Sequence, residues 1–463
     1  MLQKELSPFA APYGQEIMIY LKNITFLVND SEHVAQNVNL LVESNRIKQI
    51  GFNIPVPELD CLVIDCANKI VAPGFINLHT HLYQNMLKGV EDRLRLQEWC
   101  EEVTFPFVNV VLEDARSGDH RLSSYYGGLG AIEMVRSGIT AFVDMDMLSD
   151  EMFDTWEKIG IRGTGAIQAV NQLMPEGFTS SDVEMRSDII STIERWHNKG
   201  LQKIAIAPST PYLCTPDYLL WLRDTSKEYG LKTYCHISET ALEVQESLKD
   251  TGMTPLQYLN SVGFLDYKLC AVHAVHFTQE ESKLAAERGV SVCYNPKSNG
   301  KLGSGIAPIV DYLDLGIKVG ISTDGAASND LLDMFEDMRF GLMLQKLKYK
   351  DPAAMTAKQV YQMATEKASE IMGLDAGVLK EGKLADIVIM DTDAVHFGPV
   401  HDVIQQIVYC GKSSDVRSVI IDGKPVMLDG VIQTVSEKDF VKDAVVLAED
   451  RQRAIPYGRL YSC

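Results

Sequence analysis

The amino-acid sequence predicts an α/β fold, in which a (β/α)8 TIM barrel is joined to a small β-sandwich built from both ends of the chain. The 463 residues, 46% of them hydrophobic, are enough for one large core and a smaller one. In the middle of the chain, apolar β-runs alternate with amphipathic helical segments, which is the pattern of a parallel α/β sheet. Both ends consist instead of short strand-like runs separated by turn residues.

The β-sandwich is predicted from residues 1–70 together with residues 379–463, which also include a terminal helix. Neither part alone is large enough to enclose a core, so we expect the two to pair. The strand-like runs are 17–21, 38–42 and 46–50 in the first part, and 386–390, 418–421 and 424–428 in the second. Asp422 and Gly423 form a typical hairpin turn between the last two runs, and the acidic segment 437–450 is expected to be a solvated helix.

The barrel is predicted over residues 71–378. Amphipathic segments such as 217–229 and 280–288 separate its β-runs. A doubly wound sheet is the alternative, but no Gly-x-Gly-x-x-Gly motif follows the first run. The eight predicted barrel strands are 71–79, 140–146, 161–168, 203–209, 231–237, 268–274, 290–295 and 318–324.

Two histidines stand at the end of the first barrel run. Side chains alternate along a strand, so His79 and His81 face the same way, with Cα atoms about 7 Å apart. The preceding run is apolar, as expected for a strand buried on both faces, and such strands present functional groups at their C-terminal ends. The spacing allows both rings to bind one cation, although the pair alone is weak evidence for a metal.

Four more polar groups follow other predicted strands. His236 and Glu239 lie at the end of the fifth run, His273 at the end of the sixth and Asp324 at the end of the eighth. Because a barrel gathers these strand ends on one rim, we expect the six groups to meet.

The chemistry of these six groups predicts a hydrolytic metal site. Three imidazoles and a carboxylate suit Zn2+, while Fe2+ or manganese would accept the same set. Such an ion lowers the pKa of its water and produces a hydroxide nucleophile. Glu239 is placed to pass a proton to the leaving group, His273 to stabilise the developing oxygen charge, and Asp324 to bind the metal and accept the proton of the water.

These residues lie in longer motifs that resemble the amidohydrolase superfamily, over nearly the whole chain. Within it, the motifs are similar to those of the aminohydrolases that include methylthioadenosine/S-adenosylhomocysteine deaminase and the triazine hydrolases. The motifs are PGFINLHTH (73–81), HISE (236–239), HAVH (273–276), NPKSNGKLGSGIAP (295–308) and STDGAASN (322–329).

The resemblance implies a distorted TIM barrel with a composite β-sandwich and a single divalent metal, Zn2+ being favoured over Fe2+. No lysine ends the fourth run, so the carboxylated lysine of binuclear members is missing. A homodimer or larger homo-oligomer is also implied. The implied ligands are His79, His81, His236 and Asp324, with Glu239 and His273 acting in catalysis beside Asp324.

Three positions depart from the pattern of the nucleoside-processing relatives. Ser209 stands where those relatives carry a histidine, Val108 where they carry a ribose-binding acidic residue, and Ile167 where they carry an arginine. Each departure removes a polar or charged contact to a sugar or an amino-acid tail, which disfavours adenosine-type substrates.

Polar and aromatic side chains near the same rim are the predicted substrate-binding residues, because they could flank a flat heterocycle and hydrogen-bond to its edge. For the two aromatic residues, core packing is the alternative. The five candidates are Gln84, Trp99, Gln168, Asn171 and Tyr212.

The predicted function is hydrolytic deamination of an amino-substituted nitrogen heterocycle of the pterin, oxopurine, pyrimidine or triazine type. The alternatives are a chlorohydrolase or cyclic amidohydrolase that uses the same site, a methylthioadenosine/S-adenosylhomocysteine-type nucleoside deaminase, and a non-catalytic metal-binding scaffold. Intact Glu239 and His273 argue against the scaffold, which would need neither.

Charge and composition restrict the partners. A formal charge of −20 disfavours nucleic acids and anionic membranes, because both are polyanions. No apolar run approaches the roughly 18 residues of a membrane helix, and no signal-like segment opens the sequence. Nine cysteines without a Cys-x-x-Cys pair suit a reducing compartment, so a cytoplasmic location is expected.

Overall fold

A computed structural model describes residues 18–57, 61–173 and 181–452 of the chain. Its strands form two separate sheets, one of nine strands and one of eight. The strands are β1 (Met18–Val28), β2 (Val34–Glu43), β3 (Arg46–Gly51), β4 (Cys61–Asp65), β5 (Lys69–Pro73), β6 (Phe75–Thr80), β7 (Ile139–Asp146), β8 (Arg162–Ala169), β9 (Lys203–Pro208), β10 (Thr233–Ile237), β11 (Leu269–His273), β12 (Ser291–Tyr294), β13 (Val319–Ile321), β14 (Ile387–Asp391), β15 (Val416–Ile421), β16 (Lys424–Leu428) and β17 (Val431–Ile432).

The helices lie mainly between the strands of the eight-stranded sheet. They are α1 (Leu96–Trp99), α2 (Phe105–Arg116), α3 (Arg121–Arg136), α4 (Asp150–Ile159), α5 (Asp182–Trp196), α6 (Pro216–Tyr229), α7 (Ala241–Thr251), α8 (Pro255–Val262), α9 (Gln279–Arg288), α10 (Pro296–Lys301), α11 (Ile309–Asp314), α12 (Ala326–Asn329), α13 (Met334–Tyr349), α14 (Ala357–Ala364), α15 (Glu366–Met372), α16 (Val403–Tyr409) and α17 (Glu437–Gln452).

The eight-stranded sheet is the predicted barrel. Strands β6 to β13 are hydrogen-bonded in sequence order and all neighbouring pairs are parallel. This order confirms the (β/α)8 topology, since a doubly wound sheet would place its first strand in the interior of the order.

The barrel is distorted where its first and last strands meet. Strand β13 has only three residues, and Asp324, predicted to end this strand, lies beyond it. Side-chain hydrogen bonds join β6 to the residues after β13. The amide of Asn77 donates to the Thr323 hydroxyl (2.8 Å) and accepts from the Thr323 backbone N–H (3.1 Å). The backbone N–H of Asp324 then donates to the His79 carbonyl at 3.1 Å, so the last strand end is tied directly to the first.

The nine-stranded sheet joins both ends of the described chain, as predicted. Its order is β17-β16-β15-β14-β5-β1-β2-β3, with β4 paired to β1, and most of its pairs are antiparallel. Apolar residues of β1, β2, β5 and β14 form a core of their own beneath it, separate from that of the barrel. The prediction of two chain ends in one β-structure is therefore confirmed.

The run over residues 71–79 is two strands rather than the single strand predicted. Strand β5 pairs with β14 and β1 in the terminal sheet, and β6 begins the barrel. The chain changes sheets at Gly74, where a Cβ atom would lie 2.2 Å from the Thr140 hydroxyl oxygen. Only glycine allows this close approach, and hydrophobicity alone does not reveal the break because both strands are apolar.

The helix boundaries follow from local capping. Helix α6 begins after Thr215, whose hydroxyl accepts from the Tyr218 N–H, and ends at Gly230 in the left-handed conformation. Helices α6 and α9 correspond to the predicted segments 217–229 and 280–288. Among the described residues, no helix is both long enough and apolar enough to cross a membrane.

Candidate active site

The strand ends of the barrel bring the six predicted polar groups together. His79 Nε2 lies 3.3 Å from His236 Nε2 and 3.3 Å from Asp324 Oδ1, and His81 Nε2 lies 3.7 Å from the same oxygen. His273 Nε2 lies 3.5 Å from Glu239 Oε2 and 3.8 Å from Asp324 Oδ2. Side chains up to 245 positions apart therefore form one compact cluster, as the strand-end argument predicts.

Two of the histidines are oriented by backbone carbonyls. His81 Nδ1 donates to the Met145 carbonyl at 2.6 Å, and His236 Nδ1 donates to the Ser209 carbonyl at 2.7 Å. Because a carbonyl oxygen can only accept, each ring carries its proton on Nδ1 when neutral. The Nε2 lone pairs of both rings therefore point into the cluster, ready to bind a cation.

The spacing of the donors suits a divalent metal. Two ligand atoms that are each about 2.0–2.1 Å from a tetrahedral zinc ion lie roughly 3.3–3.4 Å apart. The two 3.3 Å separations around His79 Nε2 match this value. Two sets of three residues have ligand atoms within 4.8 Å of one another: His79 with His81 and Asp324, and His79 with His236 and His273. The donor set therefore fits a metal, and imidazole with carboxylate is chemistry that zinc accepts.

Burial keeps three of the imidazoles neutral. It lowers the pKa of His81 to about 4, with His79 adding to the effect, and that of His273 to about 3, with His79 and His81 adding to the effect. Burial and the neighbouring imidazoles, His79 first, hold the pKa of His236 well below its ordinary value. The three rings are therefore uncharged near pH 7, the form in which imidazole binds a metal.

Asp324 is held ionised and in a strained conformation. Its φ of +62° is unusual for a residue with a side chain. Ser298 donates to Oδ2 at 2.6 Å, and the Gly325 N–H donates to Oδ1 at 2.7 Å. Burial alone would raise the pKa of Asp324, but its interactions with the neighbouring imidazoles, first of all the hydrogen bond with His79, hold it well below its ordinary value.

Glu239 is buried beside the cluster, where its surroundings favour the protonated form of its carboxyl. Burial, followed by the charges of Asp324 and Glu243, raises the pKa of its carboxyl well above the ordinary value. Its backbone position is set by Glu243, whose carboxylate accepts from the N–H groups of Ser238 (2.9 Å) and Glu239 (2.7 Å). A buried, protonated carboxyl at this position can exchange a proton with a bound molecule.

Several residues that support the cluster were not anticipated from the sequence. At the end of β7, Asp144 accepts from the Leu82 N–H (2.8 Å) and Asp146 accepts from the Tyr83 N–H (3.0 Å). Together with the Met145 carbonyl, these carboxylates hold the turn that carries His81. The available signal was the pair of carboxylates at a buried strand end, because buried charges usually have a specific purpose.

The predicted substrate-binding residues differ in their surroundings. The Gln84 amide is buried against the loop after Asp324, where its Oε1 accepts from the Ala327 N–H at 3.2 Å. Trp99 is buried, and its indole N–H has no hydrogen-bond partner among the described residues. Burial, followed by the charge of Glu239, raises the pKa of the neighbouring Cys100 thiol to about 12.

The other three candidates lie at the ends of β8 and β9. Gln168 is exposed and donates to the Ser209 hydroxyl at 3.0 Å. Asn171 is bonded within the protein: its amide donates to Asp182 (3.1 Å) and Thr215 (3.0 Å) and accepts from the Thr215 N–H (2.8 Å). Tyr212 is 48% exposed, and partial burial, followed by the charge of Glu243, raises the pKa of its phenol.

The three departures from the nucleoside pattern differ in their burial. Val108 and Ile167 are half-buried apolar side chains, whereas Ser209 is buried. Ser209 takes part in the site through its carbonyl, which orients His236, and its hydroxyl, which accepts from Gln168.

Comparisons with known proteins find relatives over nearly the whole chain. The chain is 35% identical over 430 residues to the 5-methylthioadenosine/S-adenosylhomocysteine deaminase of Dictyoglomus thermophilum. This alignment covers 92% of the chain and 97% of the relative. Its fold is similar to the zinc-bound adenosine deaminase of Xanthomonas campestris (TM-score 0.85, 27% identity, 95% of this chain and 99% of the other).

A second solved structure supports the fold alone, because the identity is low. It is the zinc complex of an atrazine chlorohydrolase from Arthrobacter aurescens (TM-score 0.85, 24% identity, 93% of this chain and 100% of the other). The model of the Amidohydrolase family matches residues 70–426, from β5 to β16. The chain therefore belongs to the amidohydrolase family.

Proposed function

We propose that the protein is a hydrolase of C–N bonds other than peptide bonds, and that it deaminates an amino-substituted nitrogen heterocycle to release ammonia. The observation that carries the proposal is the position of Glu239 and Asp324, both within 4 Å of the His273 ring, at the edge of the histidine cluster. A buried acid, an ionised carboxylate and a neutral imidazole in this arrangement suit addition of water to a ring carbon. The deaminase relative, 35% identical over nearly the whole chain, supports the same reaction class.

The metal ligands in this proposal are His79, His81, His236 and Asp324. Zn2+ is the proposed ion and Fe2+ the alternative, in keeping with the donor spacing and the zinc-bound structural neighbour. A divalent ion held by these four residues would lower the pKa of a water molecule toward neutrality and so supply the nucleophile.

Three side chains then move protons or polarise the substrate. Asp324, whose pKa is held low, accepts the proton that the attacking water loses. Glu239 donates a proton to the ring nitrogen or to the departing amine, and His273 interacts with the oxygen that is added to the ring. Overall one water is consumed, the exocyclic C–N bond breaks, ammonia leaves and a ring carbonyl remains.

The proposed substrate is a heterocycle without a sugar: a pterin, oxopurine, pyrimidine or triazine. No charged contact is available at the three positions where nucleoside-processing relatives have a polar or charged group: Val108, Ile167 and Ser209. The side chains of Val108 and Ile167 are also partly buried from solvent. The name of the 35% identical relative favours the second candidate, a nucleoside deaminase. Gln168 and Tyr212, which are exposed, are the proposed contacts to the ring, together with the buried Trp99 and Gln84.

A substrate panel with coupled ammonia detection tests this proposal. The zinc-loaded protein is incubated with aminopterins, oxopurines, aminopyrimidines, aminotriazines, adenosine, methylthioadenosine and S-adenosylhomocysteine. We expect ammonia from at least one base and kcat/KM at least about tenfold lower for the nucleosides, a difference of about 1.4 kcal/mol. A reversed preference would favour the nucleoside deaminase. Chloride release would favour a chlorohydrolase, ring opening without ammonia a cyclic amidohydrolase, and no turnover a scaffold.

The assembly and location of the protein remain predictions from the sequence. A homodimer or larger oligomer is the proposed state, and light scattering in solution would test it. A cytoplasmic location and the lack of nucleic-acid or membrane partners rest on charge and composition.

A further inference from the structure

The two nitrogen atoms of the His273 ring face opposite kinds of group. On one side, the side-chain amide nitrogens of Asn299 (2.9 Å) and Asn295 (3.2 Å) approach Nδ1. On the other side, Nε2 faces two carboxylates, Glu239 Oε2 at 3.5 Å and Asp324 Oδ2 at 3.8 Å. Amide N–H groups can only donate, so the two asparagines require a lone pair on Nδ1. The proton of the neutral ring then lies on Nε2, which faces the ionised carboxylate of Asp324, a group that can only accept.

This arrangement is the reverse of that in His81 and His236. Those rings donate from Nδ1 to backbone carbonyls and direct an Nε2 lone pair into the cluster. Distance alone does not separate the roles, because His273 is within ligand spacing of His79 and His236. A protonated Nε2, however, has no lone pair to offer to a cation. The position of one proton therefore separates a metal ligand from a hydrogen-bond donor.

The Asn295 side chain and the Asn299 backbone are themselves held in place. Asn295 directly follows β12, and its Oδ1 faces the Cys293 thiol at 3.5 Å, which turns its NH2 group toward His273. The Asn299 N–H donates to the Asn295 carbonyl at 3.0 Å, so the two residues share the first turn of α10. Ser298, between them, donates to Asp324. All three side chains are buried, so water does not compete for these contacts.

We propose that Asn295 and Asn299 are positioning residues that fix His273 as the Nε2–H tautomer, which excludes it from the metal ligands and makes it a hydrogen-bond donor to the oxygen added to the substrate. The donor role rests on the proposed function, whereas the tautomer does not. An aspartate at position 299 would accept from Nδ1 instead, and would draw the proton to the wrong nitrogen.

Nitrogen-15 NMR of the ring atoms tests the tautomer directly. The zinc-loaded wild-type protein is labelled at histidine, and the His273 signals are identified by their absence in His273→Gln. We expect Nε2 to be protonated and Nδ1 unprotonated at pH 7. A proton on Nδ1, or a signal from nitrogen bound to zinc at Nε2, would overturn the proposal whatever the activity of the protein.

Asn299→Asp tests the consequence for catalysis. We expect the proton to move to Nδ1, zinc content to stay at the wild-type level, and kcat to fall on the order of 10²–10⁴-fold with KM changed little. Asn260→Asp, a change of the same kind at a half-buried residue of α8, should leave all three quantities unchanged. Wild-type kcat in Asn299→Asp with the proton on Nδ1 would refute the donor role.

A second variant covers the case in which Asn299→Asp does not fold. Asn295→Asp should shift the same proton, with a smaller loss of kcat because its contact is longer. If the panel yields no substrate, the proposed function fails while the NMR result still decides the tautomer. If the panel yields ammonia and the NMR finds Nδ1–H, only the tautomer proposal fails.

Discussion

The histidine cluster and the rim above it are built in different ways. In the cluster, catalytic side chains are held by a second residue: Met145 orients His81, Ser209 orients His236 and Ser298 binds Asp324. At the rim, Asn171 is held by three hydrogen bonds within the protein, whereas Tyr212 is exposed and Gln168 is exposed while donating to Ser209. Bond-making atoms need fixed positions, whereas a side chain that reads substrate shape needs space in front of it. The comparison teaches that proximity identifies the reacting groups, while exposure at the rim identifies the side chains left for the substrate.

The largest effect is expected when a cluster ligand is removed. In His236→Ala, zinc occupancy by elemental analysis should fall sharply and turnover should drop to background. The metal affinity should fall more than the roughly 10–100-fold that loss of a supporting residue costs. His401→Ala, at an exposed histidine, should keep its metal. Full occupancy in His236→Ala would show that this residue is not a ligand.

Glu239→Gln should separate proton transfer from metal binding. The amide cannot donate the proton of a carboxylic acid, so kcat should fall on the order of 10²–10⁴-fold at unchanged zinc content. Steady-state kinetics with elemental analysis measure both quantities, and Glu246→Gln, on the exposed side of α7, provides the control. Activity equal to that of the wild type would eliminate the proton-transfer role.

At the rim, Gln168→Ala should alter substrate binding without altering the fold. Its exposed amide has one protein partner, Ser209. Loss of one hydrogen bond to the substrate costs about 1 kcal/mol, so KM should rise roughly fivefold while kcat changes less. Thermal unfolding should be nearly unchanged. An unaltered KM would remove Gln168 from the proposed substrate contacts.

The smallest kinetic effect is expected for Asn171→Ala. Its side chain makes three hydrogen bonds within the protein and joins the loop after β8 to the start of α6. We therefore expect KM within about twofold of the wild type and a loss of about 1–2 kcal/mol in the free energy of unfolding, measured in urea. A large rise in KM with normal stability would instead place Asn171 among the substrate contacts, as the sequence prediction has it.

The barrel and the six polar groups of the cluster could be predicted from the sequence alone. Alternation of apolar strands and amphipathic helices is a local pattern, and parallel strands in sequence order bring their C-terminal ends to one rim. His79, His81, His236, His273, Glu239 and Asp324 are therefore placed by strand counting, without knowledge of any contact.

The supporting residues and the break at Gly74 were decided only by the tertiary structure. Asn77 with Thr323, Asp144 with Leu82, and Asn299 with His273 are pairs separated by 26 to 246 positions. No periodicity marks one partner for the other, since a hydrogen bond depends on packing that distant strands and helices create together. For the same reason, the sequence indicates which side chains reach the cluster but not the role of each. Whether a ring binds a metal or donates a proton depends on the hydrogen-bond partner of its Nδ1 atom.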